Sequence, residues 1–249
     1  MDVGQGDSIL IQTPSGHDML IDGGASDRVL ENISSKMNYF DRHIDIVIAT
    51  HADSDHVTGL IPVLQKYTVG HILTSPRKGD TDVFEELEKH IASEGAEVHV
   101  AEGGDGIDFG DGVVVKVLYP EKNFLPRGRE TNDASVVVLI NYSDQSILLT
   151  GDLSSVYESR LLEEGLPRNI TIYKAGHHGS KYSSGEQLLS YIKPKYAVIS
   201  AGKDNRYGHP NEETLNRLKT YGEVTLSTIE QGVITFFLDG KTVEVETSK

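Results

Sequence analysis

The pattern of apolar and polar positions predicts short strands interleaved with amphipathic helices. The apolar runs at residues 8–11 and 19–21 flank a Pro-Ser-Gly turn, which predicts a β-hairpin. The run at residues 44–48 is rich in isoleucine and valine, which indicates an inner strand of a sheet. Beyond it, the spacing of the apolar residues predicts one helix, with one face formed by Val57, Leu60, Ile61 and Leu64.

The same two patterns continue along the rest of the chain. Phe84, Leu87 and Ile91 have helical spacing and predict a second, acidic helix. Further strands are predicted at residues 113–118, 135–140, 146–149, 170–173 and 196–200. Further helices are predicted at residues 156–164, 186–192 and 212–220. Asp239-Gly240 is a turn pair that predicts a last hairpin.

Two segments of the chain resemble two later segments in the same order. The stretch that starts at Ser8 resembles the one that starts at Ser135, and IDIVIATH from Ile44 matches ITIYKAGH from Ile170. The spacing of the two matches is nearly the same, which predicts one domain over residues 1–249 with similar halves of about 1–125 and 126–249. Strands and helices mixed in both halves predict an α/β fold, a four-layer αββα sandwich.

Composition limits the chemistry that this chain can perform. Cysteine is absent, so a metal would have to be held by histidine, aspartate or glutamate. The formal net charge of −15 argues against broad binding of duplex DNA, although a local basic groove stays open. Candidates for that groove are Arg77-Lys78, Arg127-Gly128-Arg129, Lys181, and Lys203 with Arg206. No apolar run is long enough to span a membrane, and the abrupt start without a signal-peptide pattern is typical of an excised domain.

The turn after the predicted strand 44–48 concentrates metal-binding side chains. His51, Asp53, Asp55 and His56 lie within six consecutive residues. A turn can direct several consecutive side chains into one pocket, and imidazole with carboxylate suits zinc, iron or manganese. The alternative is a solvated turn in which Asp53 or Asp55 caps the following helix. Two histidines that bracket two aspartates exceed what a cap requires, so the metal site is the prediction.

Three later groups could contribute to the same pocket. Asp152 follows an apolar strand and could bridge two metals or, alternatively, cap the next helix. The correspondence between the halves pairs His177 with His51 and predicts His177 as a ligand. His178 would then orient it or contact the substrate. His209, in a Tyr-Gly-His-Pro segment beside Lys203, Asn205 and Arg206, is predicted to contact an anion.

Two further polar residues are predicted to support the pocket. Asn132 opens a predicted strand and could lie at the same rim, although a turn explains it equally well. Asp22 ends a strand of the first half and could accept hydrogen bonds from a ligand histidine or from backbone N–H groups. The remaining histidines are interpreted as surface or strand-edge residues, namely His17, His43, His71, His90 and His99.

These residues together resemble the metallo-β-lactamase superfamily. Its signature is His-x-His-x-Asp-His at a strand end, followed by Gly-Asp and a further histidine; here it reads His51-Ala52-Asp53-Ser54-Asp55-His56, with Asp53 in place of the second histidine. Within the superfamily, the C-terminal domains of ComEC-like DNA-uptake channels of competent bacteria are similar in five motifs. These are HADSDH together with DVGQGDSILI at Asp2, LIDGG at Leu20, GHHGS at Gly176 and YGHP at Tyr207.

The resemblance implies an αββα sandwich with two metal ions at one edge of the sheets. By position, His51, Asp53 and Asp152 would hold one ion, and Asp55, His56, Asp152 and His177 the other. The aspartate at position 53 makes the ligand set harder, which favours manganese, with zinc as the alternative. The first ion has no convincing further histidine, and Asn132 or Asp133 stands nearest in the sequence.

The expected chemistry is hydrolysis by a water that two metal ions activate, with Asp55 and Asp152 as catalytic residues. The resemblance implies a phosphodiester of DNA as the substrate. We expect a single strand, bound through its backbone without sequence preference. Predicted substrate contacts are His178, Ser180, Lys181 and His209, with the Ser183-Ser184 pair beside them. Tyr182 and Tyr207 are the best-placed aromatic residues for stacking of bases.

Two alternative functions stay open from the sequence. One is hydrolysis of a different ester, such as phosphorylcholine or a small cyclic phosphate, because fold alone does not select the substrate. The other is a non-catalytic module that guides DNA toward a channel. The resemblance implies a tether to a membrane channel domain and a location outside the cytoplasmic membrane if the chain is an excised domain; a free-standing relative could lie elsewhere.

Overall fold

The first half of the chain builds a five-stranded sheet with helices on one side. The computed structural model describes residues 1–38, 40–124 and 130–249, so the basic segment Arg127-Gly128-Arg129 lies outside the described residues. The strands are β1 (Ile9–Gln12), β2 (Asp18–Ile21), β3 (His43–Ala49), β4 (Thr68–Thr74) and β5 (Glu97–Val100), adjacent in that order. The helices are α1 (Arg28–Lys36), α2 (Ser54–Val57), α3 (Leu60–Lys66) and α4 (Asp82–Glu94).

A seven-stranded sheet faces the first one, and a separate hairpin follows it. In chain order its strands are β6 (Gly106–Asp108), β7 (Val113–Tyr119), β8 (Val137–Tyr142), β9 (Gln145–Leu149), β10 (Ile172–Lys174), β11 (Tyr196–Ile199) and β12 (Val224–Ser227). The helices are α5 (Ser155–Glu163), α6 (Glu186–Ile192), α7 (Glu212–Tyr221) and α8 (Thr228–Gln231). The hairpin is β13 (Ile234–Leu238) with β14 (Val243–Thr247).

Three groups of buried side chains hold four layers together. The outer face of the first sheet packs on its helices, for example Val47 against Val29 and Val63. The inner faces of the two sheets share a second core, which includes Met19, Ile48, Val115 and Val138. The second sheet packs on helices α5 to α7 through a third core that includes Leu148, Leu161, Leu189 and Leu218. These layers confirm the predicted αββα sandwich.

The two sheets share a five-strand topology. In the first sheet, β1 pairs antiparallel with β2, and the next three pairings through β5 are parallel. In the second sheet, β8 pairs antiparallel with β9, and the next three pairings through β12 are parallel. The chain changes sheets between Val100 and Gly106, ahead of the predicted division near residue 125, because β6 and β7 extend the second sheet. The common topology supports the two predicted halves, whose origin by duplication stays a prediction.

The helix predicted after β3 is two helices in the structure. The backbone N–H of Gly59 donates to Gly24 O rather than along the helix, and Pro62 has no N–H to donate. Gly59 also lies so close to Gly23 that an added Cβ would come within 1.9 Å of Gly23 O. This contact needs glycine and separates α2 from α3. Helices α1 and α8 and strands β4, β5, β6 and β12 were not predicted from the sequence.

The parallel strands bring the predicted motifs to one edge of the sandwich. His51 follows β3, Asp152 follows β9 and His177 follows β10. The backbone N–H of Val136 donates to Thr50 O over 2.8 Å and connects the two sheets at this edge. Within the described part of the chain, no helix combines the length and the apolar character needed to cross a bilayer.

Candidate metal centre

The turn after β3 presents its acidic residues to the edge between the sheets rather than to the helix that follows. Asp53 occupies the N-cap position of α2, but its side chain makes no capping hydrogen bond and instead accepts one from the Thr131 hydroxyl of the other half. Asp55 lies inside the first turn of α2, with Oδ2 3.3 Å from Nε2 of His178. The capping role therefore does not explain these two carboxylates.

The carboxylate of Asp152 lies at the centre of the cluster. Its Oδ1 is 3.3 Å from Nε2 of His56, and its Oδ2 is 3.4 Å from Nε2 of His178. Nε2 of His177 lies 3.7 Å and Nε2 of His51 lies 3.9 Å from the same Oδ2. The N-cap position of α5 is Ser154, so Asp152 is not its cap. One buried carboxylate thus faces four imidazole rings contributed by both halves.

Hydrogen bonds on Nδ1 set the tautomers of His56 and His178. Nδ1 of His56 lies 2.7 Å from Oδ2 of Asp22, and Nδ1 of His178 lies 3.0 Å from the carbonyl oxygen of Ser200. Both partners are acceptors, so each Nδ1 must carry the proton. Nε2 is then the nitrogen of each ring that is left to bind a proton or a metal ion, and the two Nε2 atoms lie only 3.2 Å apart beside Asp152. Either a proton or a metal ion between the two nitrogens would stabilise this close approach.

His51 is oriented in the same way through Thr50. The Thr50 hydroxyl donates to Oδ2 of Asp22 over 2.6 Å, so it accepts from Nδ1 of His51, which is 3.0 Å away. The backbone N–H of Thr50 donates to Oδ1 of Asp22 over 2.8 Å. Nε2 of His51 is buried and has no hydrogen-bond partner among the described residues. Asp22 therefore orients His56 directly and His51 through Thr50.

The donor set fits divalent metal ions. Buried Nε2 of His51 and Oδ1 of Asp152 lack hydrogen-bond partners in the described part of the chain, as expected of atoms that bind metal. Burial lowers the pKa of His51 to about 4, so its ring is neutral and able to coordinate. Burial acts in the same direction on His56 and His178, but the charge of Asp152 outweighs it and raises the pKa of both rings well above the usual value. The cluster demands positive charge, which protons or metal ions can supply.

The two neighbouring histidines differ in their surroundings. Both His177 and His178 have a left-handed backbone, with φ of 48° and 54°. The side chain of His178 is 1% exposed and points between Asp55 and Asp152, whereas the His177 side chain is 31% exposed and lies at the rim. The Nδ2 atom of Asn132 is 3.4 Å from Nδ1 of His177. The structure therefore inserts His178 more deeply among the carboxylates than His177, the ligand predicted by the correspondence between the halves.

The residues of the predicted substrate-binding segment at positions 180–184 differ in their exposure. Ser180 is buried and its hydroxyl accepts the N–H of Tyr182, while Lys181 is exposed with Nζ 5.0 Å from the centre of the Tyr182 ring. Ser183 and Ser184 are fully buried and hydrogen-bond within the fold, to Leu153 O and to Tyr173, so their hydroxyls do not face the rim.

A stack of side chains leads from solvent to the cluster. The guanidinium of Arg206 lies 4.8 Å from the Tyr207 ring centre, and the Tyr207 ring stacks on His209 with centres 5.8 Å apart. His209 then meets His177 edge-on at 5.3 Å. The amide of Asn205 accepts from the backbone N–H of both Tyr207 and His209 and holds this segment. Burial, with the charges of the neighbouring histidines, lowers the pKa of His209 to about 4.

Asp7 and Lys174 are site residues that the sequence reasoning missed. Oδ2 of Asp7 lies 2.7 Å from Nζ of Lys174 in a buried ion pair, and its Oδ1 lies 3.3 Å from Nδ1 of His178. Gly6 makes this placement possible, because a Cβ there would come within 2.0 Å of Asp55 O. The glycines around Asp7 in the DVGQGDSILI motif were a usable signal for such a close approach.

The chain belongs to the metallo-β-lactamase superfamily. A sequence model of that superfamily matches residues 1–203. The fold agrees, since zinc-bound PqqB from Methylobacterium extorquens superposes with a TM-score of 0.57 at 12% identity, covering 89% of this chain and 85% of that one. The predicted family is thereby confirmed.

Competence proteins are among the relatives of this chain. ComE operon protein 3 of Bacillus subtilis is 30% identical over 95% of this chain and 32% of its own length. Competence protein ComA of Neisseria gonorrhoeae is 30% identical over 95% of this chain and 31% of its own length. The chain thus spans about a third of these relatives, and the predicted resemblance to the competence branch is confirmed.

Proposed function

We propose that this domain is a metal-dependent phosphodiesterase that hydrolyses DNA strands. The observation that carries the proposal is the convergence of the Nε2 atoms of His51, His56 and His178 on the carboxylate of Asp152. A buried site of this kind in a metallo-β-lactamase fold is suited to hydrolysis with metal ions. The competence relatives favour DNA over other esters as the substrate.

We assign the ligands by their positions around Asp152. His51, Asp53 and Asp152 would hold one ion, because Nε2 of His51 lies 3.9 Å from each of the two carboxylates. Asp55, His56, Asp152 and His178 would hold the second ion; their facing atoms are separated by 3.2–3.4 Å.

The ligand set favours manganese, with zinc as the alternative, because it mixes imidazoles with hard carboxylates. When bound, two divalent ions supply Lewis acidity and a reactive water at neutral pH. His177, which approaches Oδ2 of Asp152 from the rim, would contact either the first ion or the substrate.

Asp55 is the residue that we assign to proton transfer. Its side chain is 23% exposed, whereas that of Asp152 is 3% exposed, so Asp55 reaches both the cluster and the open rim. Burial would raise the pKa of Asp55, but its hydrogen bond to His178 and the charge of His56 lower it to about 2. The carboxylate is therefore ionised at neutral pH and able to orient a water by accepting a hydrogen bond from it, on the path by which its proton leaves.

The rim fits a single DNA strand. The exposed rings of Tyr182 and Tyr207 offer faces for bases, and Lys181 and Arg206 beside them offer positive charge for the backbone phosphates. His209 lies between Tyr207 and the cluster and would face the scissile phosphate. Contacts of this kind have little sequence preference.

The relatives also supply the setting of the proposal. Because they are competence proteins, we place the activity in DNA uptake. In a longer protein the domain would be attached to a membrane channel and would act outside the cytoplasmic membrane.

The test is hydrolysis by metal-free protein that is reloaded with Mn²⁺ or Zn²⁺. End-labelled single-stranded DNA, duplex DNA and bis(p-nitrophenyl) phosphate are compared for wild type, Asp152→Asn and the matched surface variant Asp144→Asn. We expect Asp152→Asn to lower kcat/KM for single-stranded DNA by at least about 100-fold, since loss of even an outer partner of a metal ligand costs 10- to 100-fold. Asp144 is an exposed turn residue, and Asp144→Asn should keep full activity.

Each alternative predicts a different result in the same assay. Hydrolysis of the small diester without hydrolysis of DNA would identify another ester as the substrate. Binding of DNA without turnover under any metal would identify a DNA-guiding module. Either result would overturn the proposal.

A further inference from the structure

A second group of metal-binding side chains lies on β4 and β5, apart from the strand ends that carry the first cluster. His71, Glu97 and His99 each offer one ligand atom, and these atoms lie within 4.8 Å of one another. Nδ1 of His71 is 3.6 Å from Oε2 of Glu97, and Nε2 of His99 is 3.4 Å from Oε1 of Glu97. The two imidazole rings stack with centres 5.8 Å apart. All three residues lie outside the first cluster.

The strand register places the three side chains on one face of the sheet. In the parallel pair of β4 and β5, His71 is opposite Glu97 and Leu73 is opposite His99. Alternate residues of a strand point to the same side, so all three ligands share the face of Leu73. Leu73 belongs to the core between the two sheets, which means that this face looks toward the second sheet. The backbone ladder, rather than flexible loops, therefore holds the group together.

The two histidine–glutamate separations are similar to those between ligands of a tetrahedral ion. Bonds of about 2.1 Å at tetrahedral angles separate neighbouring ligand atoms by about 3.4 Å. The observed nitrogen–oxygen distances of 3.4 and 3.6 Å are close to that value but are long for good hydrogen bonds. Within the part of the chain that the structure describes, the ring nitrogens of His71 and His99 make no hydrogen bond to another side chain. Each histidine thus lies at a ligand-like separation from one oxygen of Glu97 rather than at the distance of a good hydrogen bond.

The surroundings favour a cation. His71 and His99 line a cavity of about 620 Å³ between the open edges of the two sheets. Glu102 and Asp105 line the same cavity and add negative charge, while Leu73 and Val117 form part of an apolar wall. Two imidazoles with one carboxylate are ligands that zinc binds well, with a fourth position left to water.

We propose that His71, Glu97 and His99 form a second metal site, which takes Zn²⁺ or a similar transition-metal ion and fastens the edge strand β5 to β4. In the described structure β5 pairs with β4 alone, and all four of its side chains are exposed. An ion held by residues of both strands stabilises that edge, because it binds the folded ladder and not the unfolded chain. The proposal does not rest on the proposed function of the first cluster.

The test measures zinc binding to the full chain. Equilibrium dialysis gives the number of zinc ions bound by wild type, by His71→Ala/His99→Ala and by the control His43→Ala, which removes an exposed histidine from β3. We expect the double variant to bind one zinc ion fewer than wild type and the His43→Ala control to bind as many as wild type. Because the first cluster is intact in every variant, its ions are common to all three measurements.

Two further readouts report on the site itself. Histidine-ring NMR should show the resonances of His71 and His99 shifting on zinc addition, while the ring of His43 is unchanged. Zinc should also slow amide hydrogen exchange in β5 of wild type but not of the double variant. Equal zinc stoichiometry in wild type and the double variant, or unshifted rings of His71 and His99, would overturn the proposal whatever the activity toward DNA.

Discussion

Oδ2 of Asp22 lies 2.7 Å from Nδ1 of His56 and directs the opposite nitrogen of that ring toward Asp152. The same carboxylate holds Thr50, whose hydroxyl accepts from His51. One buried carboxylate thereby orients two imidazole rings through their Nδ1 atoms, on the side away from Asp152. Outer partners of this kind fix the tautomer and direction of a ligand before the metal arrives.

Asp22→Asn tests that role. The amide replaces one of two acceptor oxygens with an NH₂ group, which conflicts with the donors of Thr50 or His56. We expect the dissociation constant for Mn²⁺ or Zn²⁺, measured by calorimetry, to rise about 10- to 100-fold with unchanged circular dichroism. The control is Asp27→Asn, since Asp27 is exposed and makes no capping bond. An unaltered affinity in Asp22→Asn would show that the orientation of these rings is set elsewhere.

His178 and His177 are expected to differ in metal retention. His178 lies 3.3 Å from Asp55 and 3.4 Å from Asp152, whereas His177 approaches only the latter, at 3.7 Å. Metal analysis after dialysis should therefore find that His178→Ala loses more metal than His177→Ala, by one ion per chain. If His177→Ala lost the ion instead, the deeper position of His178 would not reflect coordination.

Metal affinity should fall as the pH falls. Burial opposes protonation of His56 and His178, but the charge of Asp152 raises the pKa of both rings well above the usual value, so the metal-free cluster carries protons at neutral pH. A metal ion must displace them, which weakens binding by about tenfold per pH unit for each proton released. Calorimetry at pH 6, 7 and 8 in buffers of different ionisation enthalpy measures both quantities. Affinity that is independent of pH would contradict this account.

The same shifts predict the opposite pH dependence for the stability of metal-free protein. A folded-state pKa above the unfolded value of about 6.5 stabilises the fold below that pH. This contribution is lost as the pH rises through the folded-state pKa of His56 and His178. The Tm of chelator-treated protein should therefore fall between pH 6 and pH 9, and saturating metal should flatten the profile.

We expect the buried ion pair of Asp7 and Lys174 to stabilise the fold only when both charges are present. Lys174→Met leaves Asp7 buried without its partner 2.7 Å away, which should lower the free energy of unfolding by about 3–5 kcal/mol. Adding Asp7→Asn should restore much of that loss. Urea unfolding of both variants is compared with Lys116→Met, an exposed position on β7. Equal stability of the single and double variants would indicate that the loss comes from packing.

Tyr207 should matter for DNA and not for a small diester. Its exposed ring belongs to the stack that ends at His209, and base stacking contributes about 1–3 kcal/mol per base. Tyr207→Ala is expected to raise KM for single-stranded DNA about 5- to 150-fold and to leave hydrolysis of bis(p-nitrophenyl) phosphate unchanged. Tyr207→Phe keeps the ring and should behave as wild type. A parallel loss on both substrates would mean that Tyr207 supports the cluster itself.

Local pattern was sufficient for most of the elements and for the first motif. His51, Asp53, Asp55 and His56 reach one pocket because they share a single turn, and a turn follows from the sequence around it. The strands and helices whose apolar spacing is strong were predicted near their observed bounds, such as α6 at Glu186–Ile192. Weakly patterned elements were missed, among them β5, whose side chains are all exposed.

Long-range contacts decided the rest of the site. Asp7 reaches His178 because Gly6 allows the chain to pass against Asp55; the glycine indicates a close approach, but no local pattern shows which segment is approached. The deeper position of His178 relative to His177 follows from left-handed backbone at both residues and from the carbonyl of Ser200. Sequence alone determined which chemical groups are present and the fold that assembles them; tertiary structure decided which atoms face each other, because the direction of a side chain depends on contacts between segments far apart in the chain.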